Sequence, residues 1–144
     1  MPDQRQIYLN LPVADLDRSG NFFKGLGFEF DPFFTDEKAT CMIVGEGIYV
    51  MLLTRPCFEG FIPGKSIADA SKTAEMLVAI SAPDRDTVDA MIRDAVAAGG
   101  SEYREAQDHG WMYFRAFQDL DGHIWEVLAT DESMLQEQMQ QGGS

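Results

Sequence analysis

Two stretches of this chain read as the same unit used twice. Tyr8-Leu-Asn-Leu-Pro-Val-Ala-Asp15 and Leu77-Val-Ala-Ile-Ser-Ala-Pro-Asp84 are each a short strand closing on an aspartate that can cap a helix. A helical stretch ending in glycine follows each copy, at Leu26-Gly27 and at Ala98-Gly99-Gly100, and strand-like segments come next. The copies are offset by 69 residues at the first strand (77 − 8) and by 75 at the last glycine (122 − 47). The second copy closes on Phe117-Gln-Asp-Leu-Asp-Gly-His-Ile-Trp-Glu-Val127. Its turn, where Asp121 and Gly122 tolerate positive φ, feeds a strand carrying one carboxylate. Two copies of one small unit predict an α+β domain with pseudo-twofold symmetry and a cleft between its halves.

At 144 residues the chain is one domain's length, enough to bury roughly two-thirds of its unfolded surface. No apolar run in it approaches the roughly 20 residues of a membrane helix, so no membrane partner is expected. The polar start Met-Pro-Asp-Gln-Arg-Gln lacks the apolar core of a signal peptide, and Cys41 and Cys57 stand apart without metal or redox spacing. Both features read as a cytoplasmic protein with reduced thiols. The net charge of −13, from 24 acidic and 11 basic residues with no basic stripe, argues against nucleic acid as a partner. The same acidity favours solubility and disfavours a strongly anionic ligand unless local arginines compensate.

Along the chain, residues 6–13 predict a strand, and Leu16, Ser19, Phe22, Phe23 and Leu26 recur at helical spacing behind Asp15. Strands are expected over 28–35, 39–45 and 48–54, separated by Asp36-Glu-Lys38 and Gly45-Glu-Gly47, which completes a βαβββ unit over about 6–54. Residues 55–73 break the pattern with proline, glycine and charge and read as a linker. Phe58, Phe61 and Ile62 leave two readings of it open: packing over a dimer partner or the cleft mouth, or a plain tether. The second unit, about 74–130, begins with a strand over 75–81. A helix after Pro83-Asp84 follows, with Val88, Met91, Ile92, Ala95 and Val96 on one face, and then strands near 101–106, 111–118 and 123–129. The tail, 131–144, predicts a short helix fraying into Gly-Gly-Ser.

Two βαβββ units with a capping aspartate after each first strand, Leu26-Gly-Phe28 after the first helix and Asp119-x-Asp-Gly-x-x-x-Glu126 near the end resemble the vicinal oxygen chelate superfamily. That group includes glyoxalase I, extradiol dioxygenases and bleomycin-resistance proteins. The resemblance covers roughly residues 6–130 as a single glyoxalase/bleomycin-resistance-like domain. It implies an incomplete barrel, completed as a homodimer, with the ligand inside the curved sheet. The superfamily's metal ligands come from the first and last strand of each unit. Here those places fall on Tyr8, Met51 or Leu52, Leu77 and Glu126. Only Glu126 suits a hard or borderline divalent ion. The expectation is therefore no metal and no cofactor, and isomerase or oxygenase chemistry is placed in doubt.

Glu126 has two readings: a cavity carboxylate that accepts from a ligand or acts as a base, or a remnant paired with a donor such as Tyr8 or Asn10. Tyr8 and Asn10, two apart on a strand, share a face. They either orient a ligand together with Met51 and Leu77 or simply satisfy each other. His109 stands before the aromatic run Trp111-Met-Tyr-Phe114 and is a candidate general base; His123 decorates a hairpin exit. Phe33 and Phe34 are candidate cavity-lining residues on the second strand. Three functions remain open: a metal-free binder of a small organic ligand, an enzyme of the superfamily with an altered site using Glu126 or His109 as base, and an interaction module without a small-molecule ligand.

Overall fold

The computed structural model describes residues 4–142. The chain divides between Asp69 and Ala70 into two compact units. The first contains β1 (Ile7–Val13), α1 (Leu16–Gly25), β2 (Glu29–Asp31), β3 (Ala39–Gly45), β4 (Ile48–Thr54) and α2 (Arg55–Phe61). Its sheet runs β1-β4-β3-β2, with β1 parallel to β4 and the remaining pairs antiparallel. Helix α1 begins where Asp15 accepts the Arg18 N–H at 3.0 Å, a cap contributing about 1 kcal/mol. It ends at Gly27, whose φ of +96° is costly for any residue with a Cβ. Phe22 and Phe23 press its apolar stripe onto the side of the sheet that carries Met42, Val50 and Leu52, and all five are buried.

The second unit repeats the first strand for strand: β5 (Val78–Ser81), α3 (Arg85–Ala97), β6 (Ser101–Asp108), β7 (Met112–Gln118) and β8 (Ile124–Thr130), followed by α4 (Glu132–Gly142). Its sheet order is β5-β8-β7-β6, again with one parallel pair, β5 and β8. Asp84 caps α3 by accepting the Thr87 N–H at 2.8 Å. Val88, Ile92 and Ala95 bury the helix against Phe117, Trp125 and Val127, whose side chains share the α3 side of the sheet. Asp89 ties the same helix to β7, accepting from the Tyr113 hydroxyl at 2.6 Å and from Arg115 at 2.8 Å. The Tyr113 bond, then Arg115, lowers the pKa of the Asp89 carboxyl. The expected pair of βαβββ units is thus formed, one in each half.

Several expectations need correction. Residues 28–35 are not one strand: β2 stops at Asp31, which accepts the Phe33 N–H at 2.9 Å and starts a turn of 3-10 helix over Pro32–Phe34. An aspartate followed by a proline with preset φ makes that turn. Phe33, expected to line a cavity, is 86% exposed on it. The linker opens with a helix, because Thr54 accepts the Cys57 N–H and Pro56 sits in the first turn, where a missing N–H costs nothing. Strand β5 begins only at Val78, so Leu77 precedes it and is half exposed. On α3, Val96 is 49% exposed, so the buried stripe is narrower than the sequence suggested. The tail helix runs to Gly142; the last two residues of the expected Gly-Gly-Ser end lie outside the described residues.

Candidate functional site

Strand register sorts the second sheet into two sides. Val78, Trp125, Val127, Phe117 and Arg115 lie on the side packed by α3. Pairing puts Ala79, Glu126, Ala116 and Arg104 in one row on the opposite side, with Phe114 and Leu128 in the next row. Glu126 is half-buried on this open side. Its carboxylate has no hydrogen bond or ion pair among the described residues. Arg104 stands on β6 between two register shifts of the β6–β7 ladder, and its guanidinium lies over the Phe114 ring at 5.8 Å. Bulges bend a strand and re-aim side chains, which accounts for an arginine leaning along the sheet onto a ring. Arg104 likewise has no carboxylate partner among the described residues, whereas Arg85 and Arg115 are both ion-paired.

His109 belongs to the same neighbourhood. Its ring is 6.1 Å from that of Phe114 and 6.5 Å from that of Trp111, tilted 29° to each. The turn that presents it is held by Asp108, which accepts the Gly110 N–H and receives a two-pronged bond from Arg85 at 2.6 and 2.7 Å. Arg85, then the Gly110 N–H, brings the Asp108 carboxyl down to about 2. Phe114, His109, Arg104 and Glu126 therefore form one aromatic and charged surface on the open side of this sheet.

The turn before Glu126 is organised by Asp119, which the sequence analysis named only as the start of a motif and gave no role. This buried carboxylate accepts the N–H groups of Asp121 and His123, both at 3.0 Å, and the Trp125 indole N–H at 3.1 Å. Burial raises its pKa, while the nearby His123 and these donors act in the opposite direction. The signal was present as an aspartate two and four residues before the donors it gathers. Of the two turn residues that tolerate positive φ, Gly122 takes it, at +92°, and Asp121 does not.

In the first unit the equivalent side of the sheet carries Tyr8, Asn10, Tyr49 and Met51, with Asn10 paired to Met51 as Ala79 is to Glu126. The register decides between Met51 and Leu52: Met51 is on this side, and Leu52 is fully buried on the α1 side. The Tyr8 ring stacks on Tyr49 at 4.9 Å and its hydroxyl donates to Gln6, while the Asn10 amide donates to the Tyr8 carbonyl. A divalent metal does not fit the inherited positions: an aromatic ring, a thioether, a leucine and one carboxylate offer one good ligand. Among the described residues no group of three or more His, Cys, Asp or Glu is arranged to hold an ion.

Surface cavities also lie elsewhere. One of about 440 Å³ sits beside the start of α3 between Arg85, Tyr113 and Asp131, and its guanidinium is already spent on Asp108. Another, about 500 Å³, lies between Lys24, Phe30 and Thr40 on the α1 side of the first sheet. Neither contains Glu126, and the open side of the second sheet carries the stronger set of unspent groups.

Comparison with known proteins agrees with this architecture. A family described as bleomycin resistance protein-like N-terminal matches residues 5–45, which span β1 to β3. A hypothetical protein from S. aureus superposes with a TM-score of 0.73 at 26% identity, over 90% of this chain and 95% of its own. A glyoxalase-related enzyme from Fulvimarina pelagi gives 0.72 at 21% identity over 90% and 89%. A glyoxalase/bleomycin resistance protein/dioxygenase family enzyme from Burkholderia phytofirmans PsJN gives 0.71 at 13% identity over 89% and 100%. No curated protein matches the chain in sequence. The chain shares the fold of these glyoxalase- and bleomycin-resistance-related structures. No described helix is long and apolar enough to cross a membrane.

Proposed function

We propose that this protein binds a small organic ligand on the open sheet surface around Glu126, without a metal, as a cytoplasmic homodimer. The observation that carries the reading is the composition of the inherited metal positions: Tyr8, Met51 and Leu77 replace ligands, and Glu126 has a carboxylate unpaired among the described residues on the sheet side that also carries Phe114. Apolar walls with a few unspent polar groups are what small-ligand sites are made of. The dimer is supported by the sheets themselves, each of which ends on two edge strands, β1 and β2 or β5 and β6. Unprotected edges invite mispairing, and a twofold partner is the commonest cover.

The binding reading is tested by amide NMR with a panel of small aromatic and charged fragments. Fragments should shift the amides of Phe114, Ala116 and Glu126. Glu126→Gln should leave stability equal or slightly higher, since it removes a half-buried charge that has no partner among the described residues. The same change should weaken the best fragment by about 1.5–3 kcal/mol, the range for a hydrogen bond to a charged group. A panel that leaves these amides unmoved ends the proposal. Turnover by the wild type that Glu126→Gln abolishes would instead favour the enzymatic reading with Glu126 as base. For assembly, light scattering at micromolar concentration should return about twice the 16.1 kDa chain mass, and a chain of single mass rules the dimer out.

A further inference from the structure

The row Arg104–Ala116–Glu126 sets a guanidinium and a carboxylate on the same side of the second sheet, one strand apart on either side of Ala116. Neighbouring strands lie about 4.8 Å apart, so the two backbones are roughly 10 Å apart across the row. Both side chains are long enough to close that gap and form an ion pair. They do not: Arg104 turns along its strand onto Phe114. The two register shifts that bracket Arg104 aim it there. The Arg104 guanidinium carbon stands 5.8 Å from the Phe114 ring centre and is engaged by no carboxylate among the described residues, so its N–H groups can take a carboxylate with two parallel bonds. Glu126 offers the complementary half, an acceptor for an ammonium. Ala116 between them is fully covered, so a ligand rests on the tips of Arg104, Phe114 and Glu126 and not on the strand itself. A chain with net charge −13 disfavours anions in general, and a ligand of no net charge that carries both signs escapes that penalty.

We infer that this surface takes a zwitterion with a planar body, of the aromatic amino-acid type: its carboxylate on Arg104, its ammonium on Glu126 and its ring against Phe114 and His109. The inference rests on the small-ligand reading above and names the ligand class for that same site.

The test uses the full chain and three probes: phenylalanine, 3-phenylpropionate, which lacks the ammonium, and phenethylamine, which lacks the carboxylate. Binding is read by amide shifts at Ala116, Phe114 and Glu126 and by titration. Phenylalanine should bind at least tenfold more tightly than either single-charge probe. Arg104→Met, which keeps the apolar stem over Phe114, should weaken phenylalanine and phenylpropionate by at least tenfold and leave phenethylamine unchanged. Glu126→Gln should do the converse, weakening phenylalanine and phenethylamine and sparing phenylpropionate. This crossed pattern is one that a loss of folding cannot mimic. Equal binding of all three probes, or either variant acting on the wrong probe, overturns the assignment. If none of the three binds while other fragments of the panel still shift these amides, the zwitterion class falls and the small-ligand reading stands. If nothing in the panel binds, both fall.

Discussion

Replacing Asp119 with alanine is expected to destabilise the protein by about 3–4 kcal/mol, more than any change on the open sheet surface, because three donors lose one acceptor at once. The costliest of them is the Trp125 indole N–H. Trp125 is fully buried, so water cannot replace the carboxylate 3.1 Å away. The Asp121 and His123 N–H groups are less deeply covered and recover part of their loss from solvent. Asp119→Asn should cost less, about 1–2 kcal/mol, since one amide oxygen still accepts while its NH2 faces a donor it cannot serve. The pH dependence separates charge from geometry. Burial raises the Asp119 pKa above its unfolded value, so the folded state binds the proton more tightly. The corresponding contribution is fully present below the unfolded pKa and is lost as pH rises through the raised folded value. Asp119→Asn has no such proton, and its unfolding free energy should lack that part of the slope between acid and neutral pH. Urea denaturation of the three proteins across that range reads both effects. An alanine variant as stable as the wild type would mean that the turn holds itself without the carboxylate.

Much of this architecture was legible because the repeat is written in residues with strong local physics. Asp15 and Asp84 cap their helices as expected, and the turn residues between β3 and β4 and between β7 and β8 marked those strands in the sequence. The failures have equally local causes. At 28–35 an apolar run concealed a turn, since Phe33 and Phe34 look like strand residues and only Asp31-Pro32 announces the break. At Arg55–Phe61 proline and glycine were read as punctuation, whereas Pro56 just inside a threonine cap starts a helix. Of the site, Glu126 could be named because it sits on the one strand whose turn is unmistakable. Arg104 could not. Its importance depends on two shifts in a ladder and on which side of a sheet a side chain emerges, and a one-residue bulge erases that information from the sequence pattern. The anticipated need for a compensating arginine near an anionic group was a statement about charge, and only the register identifies which arginine meets it.

Gly122→Ala is expected to cost about 2–4 kcal/mol, because two separate penalties meet at this position. Its φ of +92° lies where an L side chain is strained, which alone costs about 1–2 kcal/mol. The new Cβ would also stand 2.9 Å from the carbonyl oxygen of Ala70 and 3.2 Å from the Ser71 nitrogen. Those atoms are backbone, so no rotamer change relieves the contact, and either the Ala70–Ser71 segment or the turn itself must move. Gly27 supplies the control: its φ is +96°, but nothing lies within 4 Å of its Cβ position. Gly27→Ala therefore pays the dihedral penalty alone, and the difference between the two variants isolates the clash. Movement of the 119–122 turn would also disturb the donors gathered by Asp119 and tilt the start of β8, so Gly122→Ala should shift the Glu126 amide in NMR spectra while Gly27→Ala leaves it in place. Equal destabilisation by the two substitutions, with Glu126 unmoved in both, would show that the Ala70–Ser71 segment yields freely and that the approach of its backbone to Gly122 does not hold the turn.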